Sequence, residues 1–133
     1  MLVRPTGPRI LLVDDDPRLL HIVTLYLQVQ QFEVFSAAGA QAALEFLGGG
    51  LPDLVICDVM MPGVDGITLC RQIRQLPGGE HLPLIVFTAL SDTADLDAAR
   101  DAGADRVITK PFNLGGLGQA VHELLPDSIV ASA

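Results

Sequence analysis

Side chains suited to metal and phosphate chemistry stand at the ends of four short apolar runs in this 133-residue sequence. Asp14 and Asp15 follow ILLV, Asp58 follows LVIC, Thr88 follows LIVF, and Lys110 follows RVIT. Taken singly, each is weak evidence, because acids after a strand usually cap a helix or lie in a solvated turn. Asp58 is more specific, since a carboxylate directly after a continuous apolar run should be nearly buried and must have a partner.

Phosphoryl transfer is the chemistry that this set of side chains predicts. Carboxylates held within a few ångströms repel one another, so one must take up a proton or a cation must lie among them. Mg²⁺ fits, with Mn²⁺ as a substitute, because it takes one or two carboxylates together with phosphate oxygens. Lys110 is the only lysine in the chain, and its compact ammonium group could reach the same phosphate. One carboxylate would then act as the nucleophile and become an aspartyl phosphate.

Five apolar runs alternate with segments of helical pattern. The predicted strands are 10–13, 33–35, 54–57, 84–87 and 106–109. The predicted helices run from Pro17 to about residue 29, over 40–47, from Asp65 to residue 75, and from two later caps to about residues 102 and 125. Three of them have N-cap residues, namely Asp16 before Pro17, Ser91 or Asp92, and Asn113. This alternation predicts an α/β fold of the (βα)₅ type with no internal repeat.

The apolar runs also indicate how the strands are arranged. The first, third and fourth runs show no polar alternation, which is typical of parallel strands covered by helices on both faces. The second and fifth runs are more polar and suit edge positions. Right-handed crossovers then favour an open, doubly wound parallel sheet of order 2-1-3-4-5. Function in such sheets lies beyond the carboxyl ends of the strands, so the candidate side chains should share one rim.

Composition and charge exclude several classes of function. The chain has 16 acids and 8 bases, a formal charge of −8, which disfavours direct binding to nucleic acid or to an anionic membrane. It shows neither an apolar run of the ~18 residues that a membrane span needs nor a signal peptide. Cys57 and Cys70 form no disulfide or metal motif and are typical of reduced thiols in a cytoplasmic protein. We expect one domain at 9–125, a tail at 1–8, and a tail or linker at 126–133 that is too short for a DNA-binding domain.

The segments ILLVDDDP, DLVICDVMMPGVDG, LIVFTAL and GADRVITKPF together resemble the receiver domain of two-component response regulators. The resemblance covers about residues 9–125 and implies a flavodoxin-like or CheY-like fold. It also implies that Asp58 is the phosphoacceptor. It implies that Asp15 binds Mg²⁺ directly and Asp14 partly through water, with Asp58 and the backbone carbonyl of Met60 as further ligands. A sensor histidine kinase or a histidine phosphotransfer protein would supply the phosphoryl group from phosphohistidine.

The same resemblance assigns roles to the phosphate-contacting residues. Thr88 and the neighbouring Ala89 would contact the phosphoryl group, and Lys110 would pair first with Asp58 and then with the phosphate. The domain would signal through a downstream protein or a fused output or kinase domain. It would promote its own phosphorylation and dephosphorylation as a signalling phosphoacceptor, and it would not be an enzyme with a separate substrate.

Val107 departs from the family pattern. Receiver domains usually carry Tyr or Phe three residues before the lysine, where rotation of the ring couples phosphorylation to the output face. A valine has no ring to turn inward, so we expect a weakened or rerouted response around the fourth helix at this switch position.

Three other interpretations compete with a phosphorylated receiver. A receiver-like binding or scaffold module that is never phosphorylated is the main alternative, and Val107 favours it. A haloacid-dehalogenase-like hydrolase would want a second acid at position 60, where the chain has Met60. A flavin-binding domain would want hydroxyls and glycines after the first strand, where this sequence has three aspartates.

Overall fold

The computed structural model describes residues 7–59, 65–88, 93–109 and 113–125. The strands are β1 (Arg9–Val13), β2 (Glu33–Ala37), β3 (Leu54–Asp58), β4 (Leu84–Thr88) and β5 (Arg106–Thr109). The helices are α1 (Pro17–Val29), α2 (Ala40–Leu47), α3 (Gly66–Arg74), α4 (Thr93–Asp101) and α5 (Leu114–Leu124). Within the described ranges, no helix is long and apolar enough to cross a membrane.

The five strands form one parallel sheet of order β2-β1-β3-β4-β5, which confirms the predicted topology. β3 and β4 are buried along their whole length, and β1 is buried except at Arg9. β2 and β5 occupy the edges and are partly exposed. The continuous apolar runs therefore mark the strands that have a helix layer on both faces.

Alternate strand residues contribute to two cores, because successive side chains point to opposite faces of a sheet. Leu11, Val55 and Val86 pack with α2, α3 and α4 on one face. On the other face, Ile10, Ile56 and Phe87 pack with α1 and α5. Burying each such side chain contributes about 1.5–3 kcal/mol, so the two cores fix the sheet between its helix layers.

Helix caps account for three of the helix starts. The side chains of Asp16, Asp65 and Asn113 accept hydrogen bonds from the backbone N–H groups of Arg18, Thr68 and Gly116. Asp16 and Asn113 confirm two of the three predicted caps, and the third, at Ser91 or Asp92, lies outside the described residues. Asp65, predicted as the first residue of its helix, instead precedes it, because its carboxylate satisfies a free N–H of the first turn.

Three strands extend at their carboxyl ends beyond the apolar runs that predicted them. β3 includes Asp58 and β4 includes Thr88, because each residue is still paired with the neighbouring strand: Asp58 lies opposite Phe87, and Thr88 opposite Thr109. β2 continues to Ala37, which lies opposite Val13. The pairing therefore reaches the polar residues that end the strands. A short 3₁₀ turn at Gly79–His81, which the sequence did not predict, follows α3.

Close backbone approaches explain two glycines outside the site. A β carbon at Gly118 of α5 would lie 2.7 Å from the hydroxyl of Tyr26 on α1, so this glycine lets the two helices pack together. A β carbon at Gly7 would lie 1.8 Å from the carbonyl oxygen of Gln31. Pro8, the next residue, is buried, and its carbonyl accepts the N–H of Glu33 at 3.0 Å. Residues 7 and 8 thus pack on the turn before β2, and the division of the chain into a domain and two tails stays a prediction.

Candidate functional site

Two central strands carry acids to the carboxyl end of the sheet. Asp14 directly follows β1, and Asp58 is the last residue of β3. β1 and β3 are hydrogen-bonded neighbours, and the strand order reverses at this pair. A reversal of this kind leaves a crevice beyond the strand ends, since the connecting helices on either side lie on opposite faces of the sheet.

Asp14, Asp15 and Asp58 come together as the sequence predicts. Each offers a carboxylate oxygen, and these three oxygens lie within 4.8 Å of one another. Asp14 is fully buried and Asp58 is 3% exposed, whereas Asp15 is exposed. The cluster therefore has a buried floor and one acid at its solvent side.

Local turns orient the acids that follow β1. The N–H of Asp14 donates to the carbonyl of Ala37 at 3.1 Å, which fixes the backbone at the end of the strand. Oδ1 of Asp14 accepts the N–H of Asp16 at 2.9 Å, and Oδ1 of Asp16 in turn accepts the N–H of Arg18 at 3.0 Å. The cap thus uses the carboxylate of Asp16, while those of Asp14 and Asp15 join the cluster.

The peptide that follows Asp58 is held by several backbone contacts. The N–H of Val59 donates to the carbonyl of Phe87 at 3.2 Å, and the carbonyl of Val59 accepts the N–H of Gly66 at 2.9 Å. Sγ of Cys57 donates to the carbonyl oxygen of Asp58 at 3.2 Å. Burial raises the pKa of the Cys57 thiol well above its ordinary value, and nearby Cys70 and Asp58 raise it further. The sulfur therefore keeps the proton that it donates.

The remaining predicted site residues lie in different settings. Thr88 is 2% exposed and stands one residue beyond the β4 partner of Asp58, so it shares the rim with the acids. Met60, Ala89 and Lys110 fall outside the described residues.

Val107 lies half-buried on the edge strand β5, opposite Val86. It borders an open cavity of about 370 Å³ between β5 and α5. The cavity is lined by Arg106, Val107, Ile108, Thr109, Asn113, Gly116, Leu117 and Ala120. The side chain of Val107 itself packs at the margin of the core between the sheet and α2, α3 and α4.

The acid cluster fits a hard divalent cation. Oxygens bound to one octahedral Mg²⁺ lie roughly 2.9–4.2 Å apart, close to the spread of the carboxylate oxygens of Asp14, Asp15 and Asp58. Three carboxylates this close repel one another, and a divalent cation would offset that repulsion. The donor set is all oxygen, as Mg²⁺ and Mn²⁺ prefer.

Gly66 has no role predicted from the sequence, and the structure places it against the Asp58 peptide. A β carbon at position 66 would lie 2.1 Å from the carbonyl oxygen of Asp58. The signal that could have found it is a glycine directly after the capping acid Asp65, at the first position of a helix that follows the acidic strand end.

Comparisons with known proteins point to one family. The family model described as the response regulator receiver domain matches residues 10–122. The DNA-binding dual master transcriptional regulator RpaA of Synechocystis sp. is 34% identical over 118 residues, which are 89% of this chain and 49% of RpaA. The chain spans only part of such curated relatives, from 23% of the length of response regulator PleD of Caulobacter vibrioides to 50% of response regulator MprA of Mycolicibacterium vanbaalenii.

Solved structures show the same fold. The signal receiver domain of a signal transduction histidine kinase from Syntrophus aciditrophicus matches with a TM-score of 0.84 at 34% identity, covering 90% of each chain. Chemotaxis protein CheY4 of Vibrio cholerae matches with a TM-score of 0.85 at 26% identity, covering 90% of this chain and 99% of that one.

Proposed function

This chain belongs to the response regulator receiver family, and from that premise we propose that Asp58 accepts a phosphoryl group in a Mg²⁺-dependent reaction. The observation that carries the proposal is the convergence of three carboxylates, from Asp14, Asp15 and Asp58, within 4.8 Å at the carboxyl ends of β1 and β3. Asp58 is the acid of this cluster that ends a fully buried strand, so its carboxylate is presented from the buried centre of the sheet.

The chain's own residues supply most of the chemistry in this proposal. An Oδ of Asp58 forms the new bond to phosphorus while the bond from phosphorus to the donor's imidazole nitrogen breaks and the electron pair leaves with the imidazole. The hydroxyl of Thr88 donates to a phosphoryl oxygen, and the ammonium group of Lys110 offsets its charge. Mg²⁺ would be held by Asp14, Asp15, Asp58 and the carbonyl of Met60, and when bound it neutralises charge and orients the phosphoryl oxygens.

The partners follow from this reaction. The donor is a phosphohistidine on a sensor histidine kinase or a histidine phosphotransfer protein, and the domain signals through a protein or a fused output domain. RpaA is a DNA-binding transcriptional regulator, so an output domain that is fused to this receiver and binds DNA is compatible with the proposal. The formal charge of −8 supports protein contacts for the receiver itself. Free, buried Cys57 and Cys70 support a reducing location such as the cytoplasm.

Phosphorylation is tested by incubating the chain with acetyl phosphate and Mg²⁺ and measuring its intact mass. We expect a gain of one phosphoryl group that Asp58→Asn abolishes and that excess EDTA prevents. Asp16→Ser is the matched control, because it removes a neighbouring acid and keeps a capping side chain; this variant should be phosphorylated normally. A wild-type chain that gains no mass, or an Asp58→Asn variant that gains as much as wild type, contradicts the proposal.

The unphosphorylated scaffold remains a second candidate because of Val107. The valine lies half-buried on β5, against the core on the α4 side of the sheet, and it has no ring to couple the site to α4. Backbone NMR spectra of the Mg²⁺-bound and beryllofluoride-bound protein test whether the acid cluster is coupled to α4. Because the ring is missing, we expect only small chemical shift changes at α4 between the two forms. Changes at α4 as large as those at the acid cluster would rule out an uncoupled switch.

A further inference from the structure

The main-chain carbonyl of Asp58 is held from two sides by residues to which the proposed reaction gives no role. We infer that Gly66 and Cys57 are positioning residues that fix the peptide following Asp58 and thereby set the acid cluster for Mg²⁺ and phosphoryl transfer. The inference rests on the proposed function, since it concerns how that site is kept in its working geometry.

Position 66 has no room for a side chain. A β carbon there would lie 2.1 Å from the carbonyl oxygen of Asp58, 2.8 Å from its carbonyl carbon and 2.8 Å from Cα of Val59. All three atoms belong to the backbone, so no side-chain rotation can relieve the contact. Carbon atoms pack at about 3.5–4.0 Å, so any side chain at this position would force the Asp58 peptide and the start of α3 apart by roughly 1 Å or more.

The first turn of α3 and the end of β3 are also bonded to each other. The N–H of Gly66 donates to the carbonyl of Val59 at 2.9 Å. The carboxylate of Asp65 accepts the N–H of Thr68 at 2.8 Å, which fixes the turn that carries Gly66. Because the backbone contact and these hydrogen bonds act together, a displacement of Gly66 is transmitted to Asp58.

Cys57 contacts the same carbonyl from inside the core. Its Sγ lies 3.2 Å from the carbonyl oxygen of Asp58, and the residue is fully buried among the side chains between the sheet and α3. A thiol is a weak donor, so we assign Cys57 a smaller share of the positioning than Gly66.

The expected effect is large because the site depends on geometry. A displacement of about 1 Å of a reacting group can slow a reaction by about 100-fold. We expect Gly66→Ala to weaken Mg²⁺ binding by about 10-fold or more and to slow phosphorylation by acetyl phosphate at saturating Mg²⁺ by about 10- to 100-fold. Cys57→Val, which fills a similar space without a donor, should weaken Mg²⁺ binding by about 2- to 5-fold.

Two matched controls separate positioning from a general loss of stability. Gly79→Ala creates an equivalent backbone clash, 1.9 Å from the carbonyl oxygen of Ile73, at the far end of α3. Cys70→Val alters the other buried thiol of the same core. Both controls should lower the free energy of unfolding and leave the Mg²⁺ dissociation constant within about 2-fold of wild type, because neither touches Asp58.

The measurements are the Mg²⁺ dissociation constant from amide NMR shifts, the phosphorylation rate, and the urea midpoint of each variant. If Gly66→Ala matches Gly79→Ala and Cys57→Val matches Cys70→Val in Mg²⁺ affinity, the inference is overturned. If Gly66→Ala does not fold even at 10 °C in trimethylamine oxide, the comparison of the two cysteine variants tests the inference. Weaker Mg²⁺ binding by Cys57→Val than by Cys70→Val supports it, and equal Mg²⁺ affinity of the two variants overturns it. A wild-type chain that neither binds Mg²⁺ nor accepts phosphate would instead contradict the proposed function.

Discussion

Replacing Arg74 by alanine should destabilise this domain more than any other single change of an arginine that the structure describes. The guanidinium joins three segments at the end of the sheet where β4 and β5 begin. Nη1 donates to the carbonyls of Gly79 at 2.8 Å and Leu82 at 2.6 Å, and Nε donates to the carbonyl of Gly103 at 3.1 Å. Nη2 forms an ion pair with Asp105 at 3.2 Å. One side chain therefore ties the end of α3 to the 3₁₀ turn and to the loop before β5.

The size of the effect follows from these contacts. Each backbone carbonyl that loses a charged donor costs about 1 kcal/mol or slightly more, and Arg74 serves three of them. The ion pair adds at most about 1 kcal/mol, because the side chain of Asp105 is 42% exposed. The side chain of Arg74 is only 19% exposed, so water replaces its hydrogen bonds incompletely. We expect a loss of roughly 3–4 kcal/mol in the free energy of unfolding.

Urea unfolding followed by far-ultraviolet circular dichroism measures this loss. Arg71→Ala is the matched control, because Arg71 also lies in the last turn of α3 but is exposed, and it should change stability by less than about 0.5 kcal/mol. Arg74→Lys should recover only part of the loss, since an ammonium group cannot reproduce the planar fork of donors. A loss below about 1 kcal/mol for Arg74→Ala, or equal losses for Arg71→Ala and Arg74→Ala, would refute the reasoning.

Two further predictions concern pH and helix capping. Burial raises the pKa of the Cys70 thiol from 9.0 to about 11, so the folded protein keeps this proton above pH 9 while the unfolded chain loses it. Cys70 alone should therefore lower the free energy of unfolding by roughly 1 kcal/mol between pH 8 and pH 10, and this part of the fall should be missing in Cys70→Ala. Urea midpoints of wild type and Cys70→Ala at both pH values test this; the same pH dependence in both proteins would contradict it. Asn113→Ala removes the side chain that caps α5 and should cost about 1 kcal/mol, with Asn113→Ser nearly neutral; unchanged amide hydrogen exchange at Gly116 in Asn113→Ala would argue against the cap.

Local sequence patterns predict the strands and the acid cluster. ILLV, LVIC and LIVF became the three buried strands because continuous apolar runs need cover on both faces. Once the order 2-1-3-4-5 is accepted, Asp14 and Asp58 must lie side by side, because parallel strands end at the same rim. The prediction needed only the sequence neighbours of each acid and one topological rule.

The contacts of Arg74 and Gly66 could not be read in the same way. Arg74 pairs with Gly103 and Asp105, 29 and 31 residues further along the chain, and no local pattern selects those partners. In the sequence, Gly66 is an ordinary glycine near a helix start. Its close contact with the Asp58 peptide arises only when α3 packs onto the end of β3.

Residue order along this chain thus specifies which segments become strands or helices and which acids stand at strand ends, because hydrophobic periodicity and capping act over a few neighbouring residues. The spacing of Asp14, Asp15 and Asp58 within 4.8 Å, the fit of Gly66 against Asp58 and the acceptors of Arg74 arise only when helices pack on the sheet. Such contacts depend on ångström-scale distances between segments far apart in the chain, and those distances are set by the packing of two complete cores.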